Sequence, residues 1–209
     1  ALSSAASDVY KRQVTMRALS SRNTLSKIVL RNQIDKISLL FHRDRESYLC
    51  FYRILGFYPR NIQLYEQALL HKSSSVRSDK GRPLNNERLE FLGDAILDAI
   101  VGDIVYKRFE GKREGFLTNT RSKIVQRETL NKLAVEIGLD KLIKYSTRSS
   151  SHNSYMYGNA FEAFIGAIYL DQGYERCKQF MEQRIINRYI DPVSYTHLRA
   201  HETADNLVC

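Results

Sequence analysis

The segment NNERLEFLGDAILD (85–98) carries acidic side chains at spacings that a helix brings together. At 3.6 residues per turn, Glu87, Glu90 and Asp94 fall within about 60° of one another, and Asp98 continues the stripe. Leu89, Leu92, Gly93 and Ile96 cover the opposite side. Carboxylates so spaced repel one another and weaken the helix unless something cationic neutralises them. On its own the stripe is accounted for by a solvated acidic face, or by salt bridges from a neighbouring helix. A second segment, YGNAFEAFIGAIYLDQG (157–173), makes a bound cation the more attractive account. It places Asn159 and Glu162 at i and i+3, hence on one face of an otherwise apolar helix. A lone Glu among Phe161, Phe164, Ile165 and Ile168 is costly to bury without a partner. Gly158, Ala163 and Gly166 are small enough to let another helix pack close. If that helix is the first, Glu162 and Asn159 lie opposite Glu90 and Asp94. Such an oxygen-only pocket suits a hard divalent ion, Mg²⁺ or Mn²⁺.

Helices must position these groups. From Leu30 onward apolar residues recur at three- and four-residue steps without sustained alternation, which predicts an all-α single domain. The expected helices are 32–41, 46–56, 61–72, 85–109, 118–138, 152–171 and 173–190. Between them fall Gly56 with Pro59, the stretch SSSVRSDKGRP (73–83), Gly111 to Gly115, and STRSSS (146–151). Asn61 and Thr118 are the expected N-caps, and Gly138 and Gly173 sit where helices should stop. His71 and His152 flank helices and are read as structural or capping groups.

Composition narrows the function classes. The 209 residues are 43% hydrophobic and 26% charged, enough for a substantial core, and no apolar run reaches the ~18 residues of a membrane span. Cys50, Cys177 and Cys209 are far apart and form no C-x-x-C pair, so neither a disulfide framework nor a zinc site is expected. An excess of 32 basic over 23 acidic residues, +9 overall, favours a polyanionic partner. A basic surface can hold nucleic-acid phosphates while an acidic, metal-loaded pocket receives the scissile one. Residues 1–13 and 192–209, with their SDVYKRQ and SYTHLRAHET strings, resemble translated sequencing-adapter sequence and are expected to be assembly scars. Residues 14–30 read as a basic N-terminal extension.

At NNERLEFLGDAILD a family becomes recognisable. The segment resembles the signature of ribonuclease III, the endonuclease of double-stranded RNA. ALLHKS (68–73), REGFLTNTRSKIVQRETL (113–130) and GNAFEAFIGAIYLDQG (158–173) are similar to further stretches of that family, in the right order. The resemblance implies a catalytic domain over 31–191, an all-helical fold, a homodimer, and divalent-metal cleavage of both RNA strands. It implies that Glu90 is a metal ligand, Asp94 an essential catalytic residue, and Glu162 both ligand and catalytic residue. Glu87 and Glu114 match supporting acidic positions, and Phe91 the aromatic that packs into the other subunit. One departure stands out: Asn159 occupies the position where the family usually carries Asp. An amide oxygen still coordinates Mg²⁺ but contributes no charge.

The implied chemistry is phosphodiester hydrolysis with Mg²⁺ (Mn²⁺ as substitute) held by Glu90, Glu162 and Asn159, leaving 5′-phosphate and 3′-hydroxyl ends. A-form RNA hides its bases in a deep major groove, so recognition should rest on shape and phosphates. Arg121, Lys123 and Arg127 are the expected RNA contacts, though a solvated basic face explains each equally well. A double-stranded-RNA-binding domain, usual after the bacterial catalytic domain, is expected to have been lost with the chain beyond Asp191. The resemblance further implies a cytoplasmic enzyme of rRNA and mRNA processing, without membrane attachment. The alternative is a duplex-RNA-binding protein that keeps the fold with weak or no catalysis. Asn159 favours it, and Glu87, Glu90, Asp94 and Glu162 together argue against it.

Overall fold

The computed structural model describes residues 45–74, 76–146 and 155–186. The expected helix 32–41, His152 and both suspected scars lie outside them. Two compact units divide at Pro59 and Arg60. In the first, helix α1 (Arg45–Leu55) has Glu46 in its opening turn and Arg53 in its last, each matching the helix dipole. Tyr48, Phe51 and Leu55, spaced i, i+3, i+7, are its buried face. Gly56 ends it at φ 79°, and Tyr52 stacks on Tyr58 at 4.3 Å between ring centroids.

The second unit holds α2 (Ile62–Ala68), α3 (Glu87–Arg108), α4 (Glu114–Val125), α5 (Arg127–Glu136), α6 (Met156–Gln172) and α7 (Tyr174–Phe180). Met181–Ile186 continues α7 as a wider π-type turn. Among the described residues there is no strand beyond two isolated bridges, Leu70 with Lys144 and Arg77 with Pro83. The fold is therefore all-α, as the periodicity predicts. Helix α6 is apolar nearly all round, and Ala160, Phe161 and the run Ala163–Ile168 are buried. Such a helix belongs in the middle of a core. Leu97, Ile100, Val101, Ile104 and Val105 of α3, Leu130, Leu133 and Ala134 of α5, and Cys177 and Phe180 of α7 complete the interior. Asp171, at the end of α6, accepts from the backbone N–H groups of Arg60 and Asn61 and from the Tyr65 hydroxyl. That carboxylate fixes the entry of α2 to the exit of α6. Asn61 caps α2 as expected, its Oδ1 accepting from Gln63 N at 3.2 Å.

Two expectations are corrected. The helix predicted over 118–138 is two helices, broken where Gln126 adopts φ −63°, ψ 145°. Thr129 holds the break: its hydroxyl donates to the Lys123 carbonyl at 2.9 Å, satisfying an acceptor at the end of α4. Nor is Thr118 an N-cap. Helix α4 starts one turn earlier, at Glu114, and Thr118 Oγ1 donates to Glu114 Oε1 at 2.6 Å from inside the helix. Gly115 accordingly lies within α4, and the preceding turn is made at Gly111, φ 85°. Gly138 and Gly173, at φ 82° and 84°, terminate helices where expected.

Candidate active site

The site exists because α3 and α6 touch backbone to backbone. A Cβ placed on Gly93 would lie 1.7 Å from the Glu162 carbonyl oxygen, and one on Gly166 would lie 2.5 Å from the Leu89 carbonyl oxygen. Glycine is required at both positions by this approach, since any side chain would occupy the neighbouring helix. The closeness carries Glu162 to the acidic stripe of α3. At the start of α6, Gly158 N donates to Asn131 Oδ1 of α5 at 2.7 Å, which fixes the turn that presents Asn159.

Glu90 and Glu162 are half-buried, whereas Glu87, Asp94 and Asp98 are exposed. Burial is the largest influence raising the Glu162 carboxyl, to about 7; Asp94 and Glu90 push it further, Arg127 opposes, and Asp98 adds to the rise. Glu90 is also raised, first by burial. A hydrogen bond from Asn159 works against that rise, as do Lys72 and Arg127, while Glu87 adds to it. Two carboxylates thus face each other with an amide between elements, and the ion pairs among the described residues lie elsewhere, at Asp103 and Glu182.

These donors fit a hard divalent cation. They are all oxygens, they repel one another, and no lysine or arginine among the described residues neutralises them at ion-pair distance. Among the described residues no three His, Cys, Asp or Glu side chains converge tightly enough to hold an ion alone. The residues that could hold such an ion, with water completing its shell, are Glu90, Glu162 and Asn159.

The other expected residues are placed as follows. Glu87 stands at the head of α3, its Oε2 accepting from Asn85 Nδ2 at 2.9 Å, and its charge reaches Glu90. Glu114 is bound to Thr118 and is not among the charges acting on Glu90 or Glu162. Arg121 lies along α3, its Cδ 3.9 Å from where a Gly102 Cβ would be, and Lys123 is exposed. Arg127 sits over the Tyr155 ring at 4.5 Å. Phe91 is 82% exposed beside Glu90. His71 Nδ1 pairs with Ser73 Oγ at 2.9 Å, in keeping with a structural role. Residues not anticipated at the site are Lys72, Asn131 and Tyr155. Lys72 lies within ALLHKS, so a motif marked its neighbourhood; nothing local marked the other two.

A helical fold that brings these carboxylates together defines a class: residues 61–189 match the family described as Ribonuclease-III-like. The chain belongs to that family. It is 95% identical over 163 residues to Ribonuclease 3 of Bacteroides thetaiotaomicron, covering 78% of this chain and 52% of that protein. Ribonuclease 3 of Bacteroides fragilis strain YCH46 is 90% identical over 163 residues, 78% of this chain and 56% of its own. The chain thus spans about half the length of the curated relatives it matches. Among solved structures, the nuclease domain of ribonuclease III from Campylobacter jejuni aligns with TM-score 0.60 and 30% identity, over 72% of this chain and 99% of that one. A second structure of that domain, described for flexibility in the region involved in dimer formation, aligns with TM-score 0.58 and 32% identity, over 66% and 94%.

Proposed function

We propose that this chain is the nuclease portion of a ribonuclease III, cutting double-stranded RNA with a divalent metal ion. The observation that carries the reading is the glycine-to-backbone contact of α3 and α6, which sets Glu162 against Glu90 and Asp94 in a half-buried pocket. Glu90, Glu162 and Asn159 hold the ion, Mg²⁺ with Mn²⁺ as substitute. A bound divalent ion supplies polarised water and neutralises charge on the phosphate. Asn159 uses its amide N–H to hold Glu90 in its ionised form, which leaves its oxygen free as a donor. Asp94 orients water at the exposed side of the pocket. Glu87 supports the site through its charge on Glu90, and Glu114 supports the RNA contact. In-line attack breaks the P–O3′ bond and leaves a 5′-phosphate and a 3′-hydroxyl.

Arg121, Lys123 and Arg127 contact the duplex backbone. Phe91, a large apolar side chain left in water next to a metal ligand, packs into a second copy of the chain. The dimer-forming region described for the Campylobacter domain supports this. Two-fold symmetry then presents one pocket to each strand. No helix among the described residues is long and apolar enough to cross a membrane. We place the activity in the cytoplasm, in rRNA and mRNA processing. We take residues 14–30 as an extension and 31–191 as the catalytic domain.

The test is incubation of the chain with a long RNA duplex at low salt while Mg²⁺ is titrated. Metal-dependent cutting of duplex, not single-stranded, RNA is expected. Glu162→Ala and Glu90→Ala should each abolish it while the protein stays folded. Near-normal turnover in either variant would sink the assignment of the site. Binding without cutting, even with Mn²⁺ and Asn159→Asp, would make the chain a duplex-RNA binder instead.

A further inference from the structure

We propose that Arg127, held on the ring of Tyr155, grips a backbone phosphate of the duplex at the edge of the cleavage pocket, with Tyr155 as its positioning residue. The inference rests on the nuclease reading for its substrate, and on separate geometry for the residues. Tyr155, Asn159 and Glu162 are spaced i, i+4, i+7, so they share one face at the beginning of α6. Asn159 N donates to the Tyr155 carbonyl at 3.2 Å, which makes them successive turns. The Arg127 guanidinium carbon lies 4.5 Å from the Tyr155 ring centroid.

Its backbone is fixed as well. The Arg127 carbonyl oxygen is 3.8 Å from the position of a Cβ on Gly158, and Asn131 of the same helix accepts from Gly158 N. A guanidinium stacked on an aromatic face keeps its in-plane N–H donors directed outward, the fork that suits phosphate oxygens. No carboxylate among the described residues occupies those donors. The charge of Arg127 also acts on both Glu90 and Glu162, so the group stands within electrostatic reach of each side of the pocket. Among the described residues, Arg121 and Lys123, on α4, show no comparable ring contact with α6.

The experiment is binding of a 24-base-pair RNA duplex to the full chain without divalent metal, by fluorescence anisotropy across a salt series. Arg127→Gln should weaken binding about tenfold at 0.1 M salt and lower the salt slope by about one per bound protomer. Tyr155→Leu keeps the charge but frees the side chain. It should leave the slope unchanged, weaken binding about threefold and raise KM for cleavage, whereas Tyr155→Phe should match the parent chain. An unchanged slope in Arg127→Gln, or no duplex binding by the parent chain, would overturn the proposal. A purely structural role would lower the melting temperature of Arg127→Gln and leave its slope intact, which also overturns it. Cleavage by the parent chain is scored separately. Its absence would defeat the nuclease reading, while the slope still decides the phosphate contact.

Discussion

Replacing Gly93 by Ala sets two opposed effects against each other in one helix. Alanine is favoured over glycine in a helix interior by about 1 kcal/mol. Yet the new methyl would stand 1.7 Å from the Glu162 carbonyl oxygen, 2.6 Å from its carbon and 2.9 Å from Gly166 N. A carbon–oxygen contact settles at about 3.3–3.6 Å, so α3 and α6 must part by roughly 1.6–1.9 Å. All three opposing atoms are backbone, and no rotamer change relieves them. Overpacking of this kind costs about 1–3 kcal/mol, occasionally more, which outweighs the helix-propensity gain. The separation also moves Glu162 away from Glu90, and a displacement near 1 Å in a reacting centre costs about a hundredfold in rate. Gly102→Ala is the control in the same helix, where the nearest atom is Arg121 Cδ at 3.9 Å. That variant should gain about 1 kcal/mol and cut normally. Urea unfolding and duplex cleavage measured on both variants provide the comparison. If Gly93→Ala behaves like Gly102→Ala in both assays, the close approach does not hold the site together.

Three further outcomes are expected. Glu162→Gln should stabilise the metal-free protein above about pH 7, by roughly 1–2 kcal/mol once the partial exposure of the group is discounted. The sign follows because a carboxyl raised from 4.5 to about 7 makes the folded state hold the extra proton between those values, so parent stability falls as pH rises through that window. The gain should vanish below about pH 4.5 in melting curves taken with chelator; a variant less stable at pH 8 would contradict the account. Asn159→Asp should cut at a lower Mg²⁺ concentration at pH 8, because the added carboxylate contributes the charge that the amide lacks. A higher Mg²⁺ requirement at pH 8 would remove residue 159 from the metal. Phe91→Arg should sediment as a monomer with unchanged circular dichroism, because its 82% exposed ring contributes little to the fold of one chain; an unaltered dimer would move the interface elsewhere.

Much of the architecture was legible in periodicity. The 85–109 helix appears as Glu87–Arg108 and the 152–171 helix as Met156–Gln172, because an amphipathic stripe and an apolar run of that length admit few other solutions. The break at Gln126 was not legible, since Gln carries neither the glycine nor the proline mark of a turn. Thr129 makes the break from three residues further on. Thr118 looked like a cap because Thr often is one, but Glu114 had already started the helix. At the site, the acidic stripe and the small residues of α6 pointed to each other, although Gly93 read as part of the apolar side rather than as the contact itself. The Arg127–Tyr155 pair lies across sequence that no local pattern links. Glu114 carried a family role that its position beside Thr118, among the described residues, does not by itself explain.

The interruption at Gln126 has a consequence for how the molecule breathes. Helix α5 contributes Leu130, Leu133 and Ala134 to the interior, but α4 buries Thr120 alone among its residues. With the backbone bent between them, unwinding of α4 need not propagate into α5 and disturb the Asn131 bond to Gly158. The unit with least to lose on opening therefore carries Arg121 and Lys123, while the unit that anchors Asn159 can stay closed. On the proposed nuclease reading, the part of the site that holds Asn159 can stay still while the neighbouring helix with Arg121 and Lys123 opens and recloses.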